Sequence, residues 1–177
     1  MNVVLMGYRG CGKSTIGRAL ADRLGLAFID VDDEVCRRFN LPTISAIFQA
    51  HSEAAFREAE TNVVVELVGG DGRVIALGGG SVMHTESRRT IEATTQAMRV
   101  YLKCTAEELF RRTQTDPKFS KTRPQQSKLG GSVERITEML AQREPVYTAL
   151  ADVTIDVTDC PIDQAVETLA EQAGANQ

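Results

Sequence analysis

The residues best suited to chemistry stand at positions 7–14, Gly7-Tyr8-Arg9-Gly10-Cys11-Gly12-Lys13-Ser14, which read G-x-x-x-x-G-K-S, the spacing of a phosphate-binding loop. Glycines at 7, 10 and 12 let the backbone curl until successive N–H groups point inward as an anion nest. A helix opening near Lys13 turns its positive end toward the same point. The Lys13 ammonium can then reach the outer phosphates of a nucleotide, and the Ser14 hydroxyl can ligate Mg²⁺.

Five further groups could act with this loop. Asp30 and Asp32 lie two residues apart after a short apolar run. If the strand continues that far, alternation sets both carboxylates on one side. One could then support a hydrated Mg²⁺ and the other take a proton from an attacking hydroxyl. The alternative is that acids here only favour the start of the next helix, which suffices for Asp33 and Glu34. Arg57 has Glu53 and Glu60 at helical spacing, which reads either as a surface ion-pair ladder or as an arginine oriented by Glu60 toward an anion. In the segment 132–150, Val133, Ile136, Leu140, Tyr147 and Leu150 form an apolar stripe that Arg143 interrupts. An inward arginine requires an anionic partner, a ligand or an internal carboxylate, unless its head snorkels to water. Gly78-Gly79-Gly80 ends an apolar run and allows backbone to come close to a ligand. Between Arg111 and Lys128, six basic residues face the single acid Asp116. With Pro117, Pro124 and no periodicity, that segment reads as a loop, and Arg123 in it could close over phosphates as part of a lid.

The elements that must position these groups follow from periodicity. Short apolar runs near 2–6, 27–31, 73–77, 98–102 and 152–157 predict strands. Helices are expected at about 13–24, 35–39, from Thr43, from Ser52 to about 67, 86–93, 106–113, 132–150 and from Pro161 to about 173. Strands alternating with helices imply one parallel sheet covered on both faces. Ligands bind such sheets at the carboxyl ends of the strands. The phosphate loop, Asp30 and Asp32, and the three glycines should therefore meet at one sheet edge.

Composition agrees. The 177 residues, 42% apolar and 25% charged, suit one domain with a real core. A net charge of −4 argues against nucleic-acid binding by the whole molecule. No run approaches the ~20 apolar residues needed to cross a bilayer. The first strand begins at once, so no signal peptide is expected. Four dispersed cysteines with two histidines give no zinc spacing and suit reduced thiols in a cytoplasmic protein.

Taken together, Gly10-Cys11-Gly12-Lys13-Ser14-Thr15, Asp30-Val31-Asp32, Phe56-Arg57 with Glu60, Leu77-Gly78-Gly79-Gly80, Arg111-Arg112-Thr113, Arg123-Pro124 and Arg143-Glu144-Pro145-Val146-Tyr147 resemble shikimate kinase. The resemblance runs from Met1 to about Thr168. It implies a three-layer α/β/α P-loop kinase fold with a five-stranded parallel sheet, a helical substrate-binding region at about 32–61 and a lid at about 112–129, all in a single kinase domain, 1–177. It implies transfer of the γ-phosphoryl group of ATP, with Mg²⁺, to the 3-hydroxyl of shikimate by a monomer. Residues 10–15 would bind ATP, and Lys13 and Arg123 would act on its phosphates. Asp32 would be the base, Asp30 would hold the metal through water and Ser14 directly. Arg57, Arg143, Gly79 and Gly80 would bind shikimate, and Arg112 would lie beside the adenine. Gln125-Gln126 after Pro124 depart from the leucines usual there. Another small-molecule kinase, acting on gluconate or a nucleoside monophosphate, and a nucleotide switch without kinase activity are the competing readings.

Overall fold

A computed structural model describes residues 1–115 and 132–175. Five strands, β1 (Asn2–Met6), β2 (Ala27–Asp30), β3 (Arg73–Ala76), β4 (Ala97–Lys103) and β5 (Val153–Asp156), form one sheet in the order β2-β3-β1-β4-β5. Every pairing is parallel. Among the described residues eight α-helices accompany them: α1 (Lys13–Leu24), α2 (Val31–Phe39), α3 (Ile44–Ala50), α4 (Glu53–Val68), α5 (Thr85–Ala93), α6 (Ala106–Thr115), α7 (Val133–Leu150) and α8 (Ile162–Ala175).

Alternation along β1 explains the layers. Val3 and Leu5 belong to a core shared with α1, α6, α8 and Ile136 of α7. Val4 and Met6 belong to the opposite core, with α2, α3, α4, α5 and Tyr147 and Leu150 of α7. β1 is therefore apolar at every position except Asn2, which is buried but bonds to Gly70 O and Arg73 N. Each fully buried aliphatic side chain contributes about 1.5–3 kcal/mol, so the central strands anchor everything attached to their ends.

Three helix starts are capped by a side-chain hydroxyl. Thr43 Oγ1 accepts from Ala46 N, Ser52 Oγ from Ala55 N and Ser132 Oγ from Arg135 N. Some boundaries differ from the sequence expectation. α2 opens at Val31 rather than 35, because Asp30 caps it by accepting from Asp32 N. Asp32 thus sits in a helical turn, and strand alternation is not what relates it to Asp30. A short 3₁₀ turn, Ser81–Met83, follows the three glycines. α6 runs two residues past Thr113, and α8 continues through Gly174. Most of the expected lid, including Arg123, lies outside the described residues.

Candidate active site

The phosphate loop joins β1 to α1. Gly7, Gly10 and Gly12 adopt φ of 144°, 85° and 104°, the left-handed range that glycine enters without penalty. At Gly7 a methyl group would also lie 2.6 Å from Leu102 O on β4. Gly12 caps α1 without a side-chain bond, which leaves the first helical N–H groups for a ligand. Lys13 Nζ donates to Gly7 O at 2.8 Å and Tyr8 O at 3.1 Å. Its ammonium therefore lies folded over the loop.

Ser14 Oγ donates to Asp30 Oδ2 at 2.6 Å. These two oxygens at the loop are hard donors of the kind that suit Mg²⁺ alongside phosphates and water. Among the described residues no group of three or more His, Cys, Asp or Glu is clustered for a metal, so a cation here would depend on the nucleotide for its remaining ligands.

The Gly78–Gly80 turn is where the other chemistry converges. A methyl group on Gly78 would lie 2.3 Å from Glu60 Oε1, 2.9 Å from Ser81 Oγ and 3.0 Å from Asp32 Oδ1. Glu60 is 1% exposed. It accepts from Ser81 Oγ at 2.7 Å and from Arg57 Nη1 at 2.9 Å. Burial opposes the charge on Arg57, but the carboxylates of Glu60 and Glu53 outweigh it and raise its pKa. Arg57 pairs with Glu53 at 3.2 Å as a surface ladder would, while its other partner, Glu60 at 2.9 Å, is buried and orients it. A methyl group on Gly80 would lie 3.7 Å from Arg57 Nη1 and 3.9 Å from Arg143 Nη2. The two arginines, 86 residues apart in sequence, thus flank one glycine.

Arg143 has no internal carboxylate partner among the described residues. Its Nη1 donates to Gly79 O at 2.8 Å, and its guanidinium lies 5.6 Å from the centre of the Tyr8 ring. A neutral carbonyl and an aromatic face hold the cation without neutralising it, which leaves it able to bind an anion.

A cleft of about 660 Å³ runs along this sheet edge. On the β2 side it is lined by Asp30, Asp32, Thr43, Leu77 and Gly79, and at its centre by Arg9 to Ile16. On the β5 side stand Arg112, Val157, Cys160 and Ile162. Arg57, Gly80 and Arg143 are outside that lining, which Gly79 forms at this point. Arg112 donates to Glu108 Oε1 at 2.7 Å, Val157 O at 2.7 Å, Thr158 O at 3.0 Å and Cys11 O at 3.4 Å. It ties α6, the end of β5 and the phosphate loop together and presents a fixed planar cation to the cleft. Glu108, hydrogen-bonded by Arg111 and Arg112, has its carboxyl pKa lowered to about 2.

Sequence reasoning missed three contributors. Glu108 and Ser81 look like ordinary helix-face and turn residues. Tyr147 enters the sequence reading through the apolar stripe and the run Arg143–Tyr147, with no polar role, yet its hydroxyl donates to Gly79 O at 2.5 Å. Its place four residues after Arg143, on the same helix face, is the signal that could have revealed it.

Comparison with known proteins bears on this geometry. The family model described as shikimate kinase matches residues 9–173. A shikimate kinase from Bradyrhizobium diazoefficiens is 38% identical over 175 residues, covering 99% of this chain and 80% of the relative. One from Pseudomonas aeruginosa is 37% identical, covering 97% and 95%. The solved structure of shikimate kinase from Acinetobacter baumannii in complex with shikimate superposes with a TM-score of 0.86 at 30% identity, over 99% of this chain and 94% of that one.

Proposed function

This chain belongs to the shikimate kinase family, and from that premise we propose how its residues divide the reaction. The enzyme is an ATP-dependent kinase that phosphorylates shikimate. In our reading the acceptor is the 3-hydroxyl and the product shikimate 3-phosphate.

The observation that carries the assignment of roles is the convergence of Arg57 and Arg143 on Gly80, with Asp32 beside Gly78 on the same turn. Two forked cations at one point suit a carboxylate, which accepts paired N–H donors. We assign them to the carboxylate of the acceptor, with Gly79 and Gly80 offering backbone. Asp32 accepts the proton of the attacking hydroxyl, and its nearness to the phosphate loop across the cleft supports this. Residues 10–15 hold ATP, and Lys13 exchanges its carbonyl partners for phosphate oxygens. Arg112 lies against the adenine, and Arg123 acts from the lid at about 112–129.

Mg²⁺ fits the Ser14–Asp30 pair: Ser14 would ligate it directly and Asp30 through water. The ion would neutralise charge on the phosphates as they separate. Loop N–H groups, the α1 N-terminus and Lys13 supply the rest of the charge stabilisation, which is most of what phosphoryl transfer requires.

The substrate-binding region is placed at about 32–61 within a single domain, 1–177. We propose a monomer acting in the cytoplasm. Among the described residues no helix is long and apolar enough to cross a membrane.

The test is shikimate-dependent release of ADP from ATP. Turnover with shikimate, and none with gluconate or nucleoside monophosphates, is expected. Turnover with gluconate and none with shikimate would overturn the reading.

A further inference from the structure

We infer that Tyr147 is a positioning residue for the acid substrate: its hydroxyl holds the Gly79 carbonyl on the α7 side, so that Arg143 can turn to a carboxylate without stripping that carbonyl. The inference rests on the function proposed above.

The Gly79 carbonyl oxygen receives two donors, Tyr147 Oη at 2.5 Å and Arg143 Nη1 at 2.8 Å. A carbonyl has two lone pairs, so both are filled. Each donor has a different freedom to move. Tyr147 is 1% exposed, and its ring stacks on Tyr101 of β4 at 5.1 Å and 26°. It is set by the core. Burial pushes the phenol pKa up, so the hydroxyl keeps its proton and remains a donor. Arg143 is only half-buried, and one of its five N–H groups is committed to Gly79 while another terminal nitrogen lies near Gly80 beside Arg57.

The carbonyl's location gives this arrangement its effect. A methyl group on Gly79 would lie 3.3 Å from Arg9 N and 3.7 Å from Gly7 O. The turn is therefore a backbone seam between the phosphate loop and α7. A peptide is planar and trans, so fixing the Gly79 carbonyl toward α7 fixes the Gly80 N–H away from it. When a carboxylate draws Arg143 toward Gly80, the carbonyl still has Tyr147. Without the phenol, Arg143 would be its sole partner, and binding the acid would leave a part-buried carbonyl bare.

The loss should thus fall on the acid and not on the nucleotide. We expect Tyr147→Phe to raise the KM for shikimate about five- to tenfold, the size of one net hydrogen bond, with the KM for ATP and kcat within about twofold. Tyr101→Phe, equally buried but without a bond to Gly79, serves as the matched control and should leave both KM values unchanged. Equal rises for both substrates, or the same shift in both variants, would overturn the inference. If Tyr147→Phe yields no folded protein, 3-fluorotyrosine placed at 147 alone keeps the ring and strengthens the donor. It should lower the shikimate KM relative to that for ATP, and an unchanged ratio would overturn the inference. Absence of shikimate turnover in the unsubstituted enzyme would instead sink the proposed function, so the two failures are distinct.

Discussion

At the scale of single residues, the site depends on charges that are held without being cancelled. Lys13 and Arg143 are both satisfied by backbone carbonyls. Arg57 and Arg112 are the exceptions: Arg57 pairs with the deeply buried Glu60, and Arg112 with Glu108. Asp32 differs again: it stands in the first turn of α2, near the positive helix end that stabilises a carboxylate. Replacing it with Asn keeps the shape and removes the proposed base. Asp32→Asn should lower kcat by about 10²–10⁴, while unfolding free energy changes by less than about 1 kcal/mol. Steady-state rates beside a thermal melt check both, and near-normal turnover would remove Asp32 as the base. The types and spacing at 7–14, 57 and 143 made these residues legible from the sequence. The partner of Arg143 was not, because a backbone carbonyl carries no sequence signature.

At the scale of elements, the turn after β3 gathers the groups proposed to hold the substrate. Gly78 has an ordinary negative φ and no backbone need to be glycine; crowding by Glu60, Ser81 and Asp32 imposes it. Glu60 cannot withdraw, since it is buried and bonded on both oxygens. Gly78→Ala should destabilise the fold by about 1–3 kcal/mol and reduce turnover beyond that loss, because the displaced carboxylates are the proposed base and the group that orients Arg57. Chemical denaturation together with the specific activity of the folded fraction tests this. Caps, strand runs and the apolar stripes of α4 and α7 were readable because they are local. The opening of α2 is not legible in the sequence, because Asp30 ends a strand and caps a helix at once. Periodicity alone does not separate a strand that continues for two residues from a helix that begins immediately.

At the scale of the molecule, two cores on opposite faces of one parallel sheet hold the site at a single edge. The layered class was legible in the alternation of short apolar runs with helices. The strand order was not, since each pairing joins segments far apart in the chain. Acid stability is also a global property. Glu34, bonded mainly by Arg37 with help from Arg38 against some burial, and Glu108, bonded by Arg111 and Arg112, both have pKa values lowered to about 2 from the ordinary 4.5. A carboxylate depressed by folding stabilises fully above its unfolded value, and that contribution fades as pH falls from 4.5 toward 2. In Glu108→Gln the drop in urea midpoint between about pH 6 and about pH 3 should be smaller than in the unsubstituted protein. An equal drop would show that Glu108 contributes nothing to the acid limb.

The strand order has a consequence for how the protein comes to fold. Among the described residues β1 pairs only with β3 and β4, whose first residues are 73 and 97. No pair in the sheet is a local hairpin. Contacts of such long sequence separation form slowly, because the intervening chain must be closed before they reward it. The loop at Gly7–Ser14 therefore lies near the start of the sequence, yet its shape depends on Leu102 and Arg112. On a ribosome, where the N-terminal part emerges first, this loop waits for some hundred further residues before it has a wall to lean on. The part of the chain most plainly written for phosphate is thus made early and completes its surroundings late.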